Sequence, residues 1–159
     1  MAIKAFEEQN CAIARTLAFL GERWTVLVLR EIYLRNRRFD GIQRRLGVAT
    51  NVLSERLSSL QDEGIVERKP YGEHASRFEY HLTEKGLELH PVLMALMRWG
   101  NHHKSPAGPP LLVIHDDCDH ETEAVQVCSH CGGELHAQNV HVKPGPGAKL
   151  AAWKHPRAA

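Results

Sequence analysis

Between Phe39 and Leu60 the apolar residues form two helical stripes separated by only three residues, and this spacing constrains the fold more than any other feature of the chain. Phe39, Ile42 and Leu46 step by three and four, which predicts a short helix over 40–46. Gly47 follows as its C-terminal cap, because glycine enters the left-handed conformation that ends many helices at little cost. Val48 and Ala49 leave room only for a tight turn. Thr50 or Asn51 then offers a side-chain oxygen to cap a second helix. That helix carries Leu53, Leu57 and Leu60 on one stripe and runs to about Glu63, where Gly64 closes it. A short helix, a tight turn and a longer helix make a helix-turn-helix.

The flanks support this reading. Upstream, Leu17, Leu20, Trp24, Leu27, Val28 and Ile32 recur at spacings of three and four over 11–35. Gly21 breaks the run, giving helices near 11–20 and 23–34. Downstream, Ile65, Val66 and Arg68 lead into an extended run ending at Tyr71, and residues 72–76 form a turn. Phe78, Tyr80 and Leu82 then alternate with Glu79 and His81, as in a half-buried strand. This hairpin is the expected wing. Thr83 begins a further helix over roughly 84–103, whose Leu87, Leu89, Val92, Leu93, Leu96, Met97 and Trp99 exceed what a small domain covers from one side. A second copy of the chain is the natural cover.

The domain division expected from this pattern is a winged helix-turn-helix over 1–104 for DNA binding and dimerisation. A linker over 105–110, a small Cys/His module over 111–147 and a flexible tail over 148–159 follow. Within the module, 111–114 and 138–143 read as short strands, and no internal repeat is evident. The fold class is mainly α with a small β-hairpin wing, plus a small β-rich, zinc-ribbon-like C-terminal module.

At about 100° per residue, Asn51, Ser54, Glu55, Ser58 and Asp62 fall opposite the leucine stripe of the second helix. The first part of that face is small and hydrogen-bonding, which suits a helix in the major groove. Asn51 is placed to read adenine, and Ser54 and Ser58 to bond base edges or phosphates. Thr50, at the helix N-terminus, suits a phosphate. Arg56 lies at the flank of the core stripe and is expected to touch a backbone phosphate or to pair within the chain. In the wing, His74 and Arg77 at the tip are the expected backbone or minor-groove contacts, ahead of Arg68 and Lys69. Arg37, Arg38, Arg44 and Arg45 lie beside the first helix of the motif, which crosses the DNA backbone in such folds. Net charge is only +1, but residues 30–56 carry seven Arg against three acids. A local basic patch of this kind meets phosphate.

Ordered motifs along the chain resemble one family. They include Cys11-x-Ile-Ala-Arg-Thr-Leu17, Gly21-Glu-Arg-Trp-Thr-Val-Leu-Val-Leu-Arg-Glu31 and Arg38-Phe-Asp40. Leu53-Ser-Glu-Arg-Leu-Ser-Ser-Leu60, Gly64-Ile-Val-Glu-Arg68, Phe78 to Gly86, and Pro91 to Gly100 continue the series. Together, over about residues 11–103, these resemble the HxlR-type winged-helix regulators, relatives of the MarR type. The resemblance implies a homodimer with the first and last helices of the domain at the interface. It also implies a two-fold-related duplex DNA operator and, in most such families, repression; no effector is assigned. Two departures stand out. The wing tip reads Glu73-His-Ala-Ser76 where many relatives carry proline, and 111–147 extends beyond the minimal domain. Cys11 matches a position that in some such regulators senses oxidants or electrophiles, with Arg15 one turn on to support a thiolate. The competing reading is a buried small hydrophobe.

Cys118-Asp-His120 and Cys128-Ser-His-Cys131-Gly-Gly supply three thiols and an imidazole. A CxxC followed by glycine resembles one knuckle of a zinc ribbon. Cys118, His120, Cys128 and Cys131 would close one structural zinc site per chain, with His115, His130 or His136 as alternative fourth ligands. The competing reading is a redox pair or free thiols at Cys128 and Cys131. Enzyme readings fail on spacing. A zinc deaminase wants His-x-Glu ahead of its CxxC, whereas Thr122 stands two residues after His120. A thioredoxin-type motif wants a βαβ surround.

No apolar run approaches the ~20 residues of a membrane-spanning helix, and the N-terminus, with Glu7, Glu8 and Gln9, has no signal-like apolar core. The expectation is therefore a cytoplasmic, dimeric, sequence-specific DNA-binding regulator. The alternative is a thiol- or zinc-dependent sensor or protein-interaction module on a winged-helix scaffold.

Overall fold

Gly47 adopts a left-handed φ of 65°, and its N–H closes the preceding helix onto the carbonyl of Gln43 at 2.8 Å. The helices on either side are those the leucine spacing predicts. The structure is a computed structural model that describes residues 6–72 and 77–149. The expected wing contact His74 and residues 150–159 of the expected tail lie outside the described residues.

The described residues fall into two compact units. One is 6–88 with 147–149, and the other is 89–146. The first contains helices α1 (Ala12–Leu20), α2 (Thr25–Tyr33), α3 (Phe39–Leu46) and α4 (Thr50–Asp62), then strands β1 (Val66–Pro70) and β2 (Phe78–Leu82), and the single-turn helix α5 (Glu84–Leu87). Its core is built around α2, which packs against α1, α3, α4 and β2. Val28, Leu29 and Ile32 meet Ile42 from α3 and Leu53, Leu57 and Leu60 from α4, all essentially without solvent exposure. Burying a side chain of this size contributes roughly 1.5–3 kcal/mol, so the two stripes fix how the helices of the motif sit on α2.

The wing pairs β1 with β2 antiparallel, in register from Val66↔Leu82 to Pro70↔Phe78. On the other edge of β2, Arg38 forms an isolated antiparallel bridge with Glu79, and Tyr80 N–H donates to the Arg37 carbonyl at 2.8 Å. The basic turn before α3 is thereby stitched to the wing. Thr83 caps α5 as expected, its hydroxyl accepting from Gly86 N–H at 3.1 Å and donating to the Gly64 carbonyl at 2.7 Å. Gly86 has to be glycine here, since a Cβ would stand 2.2 Å from the backbone oxygen of Ile65.

The helix expected over 84–103 is two helices. α5 ends at Leu87, and α6 (His90–Lys104) starts afresh. Pro91 is the cause: it has no N–H to donate to Leu87, and its ring would collide with that carbonyl, whereas the first turn of a new helix tolerates both. The division into units also differs from the expected boundary at 104. α6 belongs with the segment that follows it, because Arg98 and His102 reach Glu123 at 3.1 and 3.2 Å.

In the second unit, the strand expected over 111–114 forms as β3 (Val113–His115) and pairs antiparallel with β4 (His120–Thr122). The strand expected over 138–143 does not form. Asn139 closes a turn there instead, its Oδ1 accepting from His136 N–H at 2.7 Å and its Nδ2 donating to the Glu134 carbonyl at 2.9 Å. The absence of internal repeats is also corrected. The hairpin over 113–122 is followed thirteen residues later by one over 126–135, with Val127 bridged to Glu134 as Ile114 is to Glu121. Among the described residues no helix is long and apolar enough to cross a membrane.

Candidate nucleic-acid interface

The helical stripe that buries Leu53, Leu57 and Leu60 leaves Asn51, Ser54, Glu55, Ser58 and Asp62 exposed on the opposite side of α4. The first unit itself does not cover this face. The helix N-cap is Ala49, extended at φ −64° and ψ 143°, rather than the expected Thr50 or Asn51. Thr50 is already helical, and its hydroxyl accepts from Gln43 Nε2 at 2.7 Å. It therefore locks the turn between α3 and α4 instead of capping it.

What positions the motif is a residue that the sequence reading did not single out. Glu31 is completely buried on α2. Its Oε1 accepts from Arg30 Nη2 at 2.7 Å, and its Oε2 accepts from Asn36 Nδ2 at 2.9 Å and faces Arg45 Nε at 3.4 Å. One carboxylate thus joins α2, the basic turn and α3. Burial, the largest single influence, pushes its pKa up, but the hydrogen bonds from Asn36 and Arg30 and the charges of Arg30 and Arg45 together outweigh it. The carboxyl is held below its usual value of 4.5. Arg45, expected beside the DNA backbone, is turned to this internal task. Gly41 keeps the junction open, because a Cβ there would come within 2.4 Å of Asn36 Oδ1.

Arg56 takes the second of its two expected roles. Its side chain is 12% exposed and pairs with Glu22 at 3.1 Å and with the adjacent Glu55. It fastens α4 to the turn between α1 and α2 and does not face outward with Asn51 and Ser54. The other expected cations remain near the surface. Arg37, Arg38, Arg44 and Arg77 line one groove together with Tyr71, and Glu79 closes part of it. Arg38 donates to Glu79 at 3.1 Å and lies 4.4 Å over the Tyr71 ring. Arg37 Nε is buried without a hydrogen-bond partner among the described residues. Arg68 stacks on Phe78 at 3.9 Å, which holds it along the wing.

The four cysteines are free thiols. Cys11 is exposed at the start of α1, so the single chain does not itself bury the thiol. Arg15 does not turn to it; its Nε donates to the Gln9 carbonyl at 3.0 Å. Cys128 and Cys131 are neighbours, and the backbone N–H groups of Cys131 and His130 hold the Cys128 thiol below its usual pKa. Cys118 Sγ lies 3.3 Å from Nδ1 of His115, while Nδ1 of His120 faces the Cys118 carbonyl. Among the described residues no three His, Cys, Asp or Glu side chains are gathered as an ion site, so Cys118, His120, Cys128 and Cys131 do not form a closed set as they stand.

Comparison with known proteins agrees with this geometry. The HxlR-like helix-turn-helix profile matches residues 19–107. An HTH-type transcriptional regulator of Mycobacterium tuberculosis is 42% identical over 144 residues, covering 89% of this chain and 91% of that one. Among solved structures, PA1607, a candidate transcription factor, superposes with a TM-score of 0.79 at 30% identity, covering 89% of this chain and 99% of its own. The redox regulator HypR in its reduced form superposes with a TM-score of 0.52 at 28% identity, over 59% of this chain and 94% of its own.

Proposed function

The chain belongs to the HxlR-like helix-turn-helix family, and on that premise we propose that it is a dimeric repressor that reads a two-fold-related operator with α4. Its relatives are transcription regulators rather than enzymes, and its helix-turn-helix is a DNA-binding fold. The observation that carries the finer reading is the exposed face of Asn51, Ser54 and Ser58, backed by three buried leucines. In the duplex, Asn51 reads an adenine edge, and Ser54 and Ser58 bond neighbouring base edges or phosphates. Arg37, Arg38, Arg44 and Arg77 take the phosphates alongside, and Thr50 holds the turn. A second copy covers the exposed Ile13 and Leu17 of α1 and the exposed Val92, Leu96 and Trp99 of α6. It spaces two α4 helices about one helical turn of DNA apart. The site of action is the cytoplasm, where the chromosome is.

A gel-shift titration on the DNA upstream of the protein's own reading frame separates the roles. Arg37→Ala with Arg38→Ala weakens binding to every sequence and flattens the salt dependence by about one unit of log–log slope per lost phosphate contact. Asn51→Ala removes about 1–3 kcal/mol of discrimination at one base pair of each half-site and leaves non-specific binding in place. Binding that is indifferent to salt contradicts the reading.

The exposure of Cys11, with the likeness to a redox regulator, favours an added layer in which oxidants or electrophiles act through this thiol. In that case a thiol oxidant releases the operator from the wild-type protein, and Cys11→Ser makes the complex resistant. Release that persists in the variant removes Cys11 from consideration.

A further inference from the structure

The second unit has a structural problem of its own: none of its described residues is buried. Leu111, Leu112, Ile114, Val125, Val127, Leu135 and Val142 are all exposed. A segment this small without a core is ordinarily held by disulfides, a metal ion or a partner, and its cysteines are free thiols.

Its two hairpins share one local geometry. In the first, His115 pairs across to His120, Asp119 N–H donates to the His115 carbonyl at 2.8 Å, and Asp119 is left-handed at φ 55°. In the second, Cys128 N–H donates across to the Gly133 carbonyl at 2.8 Å. There Gly132 N–H donates to the Cys128 carbonyl at 2.8 Å, and Gly132 is left-handed at φ 73°. The outer pairs match as well, Val113 with Thr122 in one hairpin and Leu135 N–H to the Gln126 carbonyl in the other. Position by position, His115 stands where Cys128 stands, and Cys118 where Cys131 stands. His120 stands where Gly133 stands, a position with no donor. The left-handed residue after the second donor turns the chain back so that the two donors of each hairpin meet. His115 Nδ1 is 3.3 Å from Cys118 Sγ, and Cys128 and Cys131 are neighbours whose intervening amides face the Cys128 sulfur.

We propose that His115, Cys118, Cys128 and Cys131 form a closed site for one divalent thiophilic cation of the zinc class, assembled from these two copies of one knuckle. Three thiolates and an imidazole with no open position make a structural, non-catalytic centre. The ligand set differs from the one the sequence suggests, because the repeated hairpin places His115, not His120, at the donor position. The two donor pairs are formed separately, and no three donors are gathered among the described residues. Binding the ion therefore draws the two knuckles together and supplies the restraint that the unit lacks.

The test is metal content and cobalt(II) absorption of the full-length chain purified without a histidine tag. The proposal expects one zinc per chain in the wild type, retained in His120→Ala and lost in His115→Ala and Cys128→Ser. It also expects His115→Cys to bind cobalt(II) with a stronger sulfur-to-metal charge-transfer band than the wild type, a gain that misfolding does not imitate. Wild-type protein that neither carries zinc nor takes up cobalt(II) overturns the site. Zinc lost in His120→Ala but kept in His115→Ala overturns the ligand set. Neither outcome depends on the DNA-binding reading.

Discussion

Glu31→Ala lowers the unfolding free energy by about 2–4 kcal/mol, read by urea denaturation at neutral pH. Breaking a fully buried ion pair costs roughly 3–5 kcal/mol because a charge is left stranded. Here the stranded partners, Arg30 and Arg45, have side chains 44% and 55% exposed and recover water, which reduces the penalty. The remaining loss comes from the half-buried Asn36 amide, which loses its carboxylate acceptor, and from truncating a side chain that is completely buried. Glu31→Gln keeps the volume and loses less. The pH dependence has a fixed sign. The folded-state pKa lies below the usual 4.5, so the carboxylate contributes its stability above the unfolded value. That stability is lost as the pH falls through the folded one. The wild type therefore loses its margin over Glu31→Ala in acid. A variant within about 0.5 kcal/mol of wild type at neutral pH shows that the network does not hold the motif.

Ser54→Glu abolishes operator binding, lowering affinity by about a hundredfold or more, while thermal unfolding stays near wild type. Ser54 is exposed in the middle of α4, and glutamate is at least as good a helix former as serine. Stability is therefore unaffected, within the ~0.5 kcal/mol typical of surface changes. On DNA the same carboxylate is carried between two rows of phosphates, where like charges brought together cost several kcal/mol. Fluorescence anisotropy of a labelled duplex at fixed salt gives the affinity. Unimpaired binding by a folded Ser54→Glu protein removes α4 from the interface.

Leucine spacing and two glycines were enough to read the helix-turn-helix and the wing. Leu53, Leu57 and Leu60 are buried, Gly47 caps α3, and β2 is a half-buried strand with Tyr80 buried at its centre. Pro91 carried enough information to place the break between α5 and α6. The apolar stripe continues across it, however, and periodicity outweighed the missing N–H. Glu31 was illegible for a different reason. An acid next to Arg30 looks solvated, and its burial follows from α2 being surrounded on several sides, which is a tertiary fact. Arg56 could be placed at the edge of the stripe but not assigned a partner, because Glu22 is distant in sequence and near in space. At the Cys/His segment, sequence proximity favoured His120 as the companion of Cys118. The competing assignment to His115 needs the hairpin register, which the residues alone do not display because Asp119 and Gly132 occupy the same left-handed position with different side chains.

Entry of the exposed α4 face into a duplex is what a photoreactive side chain at position 51 reads. Irradiation of the operator complex is expected to join position 51 to a base in each half-site, at two places about one helical turn apart. The same group at Asp62 gives no base adduct. Adducts from position 62 with none from position 51, or adducts from neither in a complex that remains bound, would contradict it.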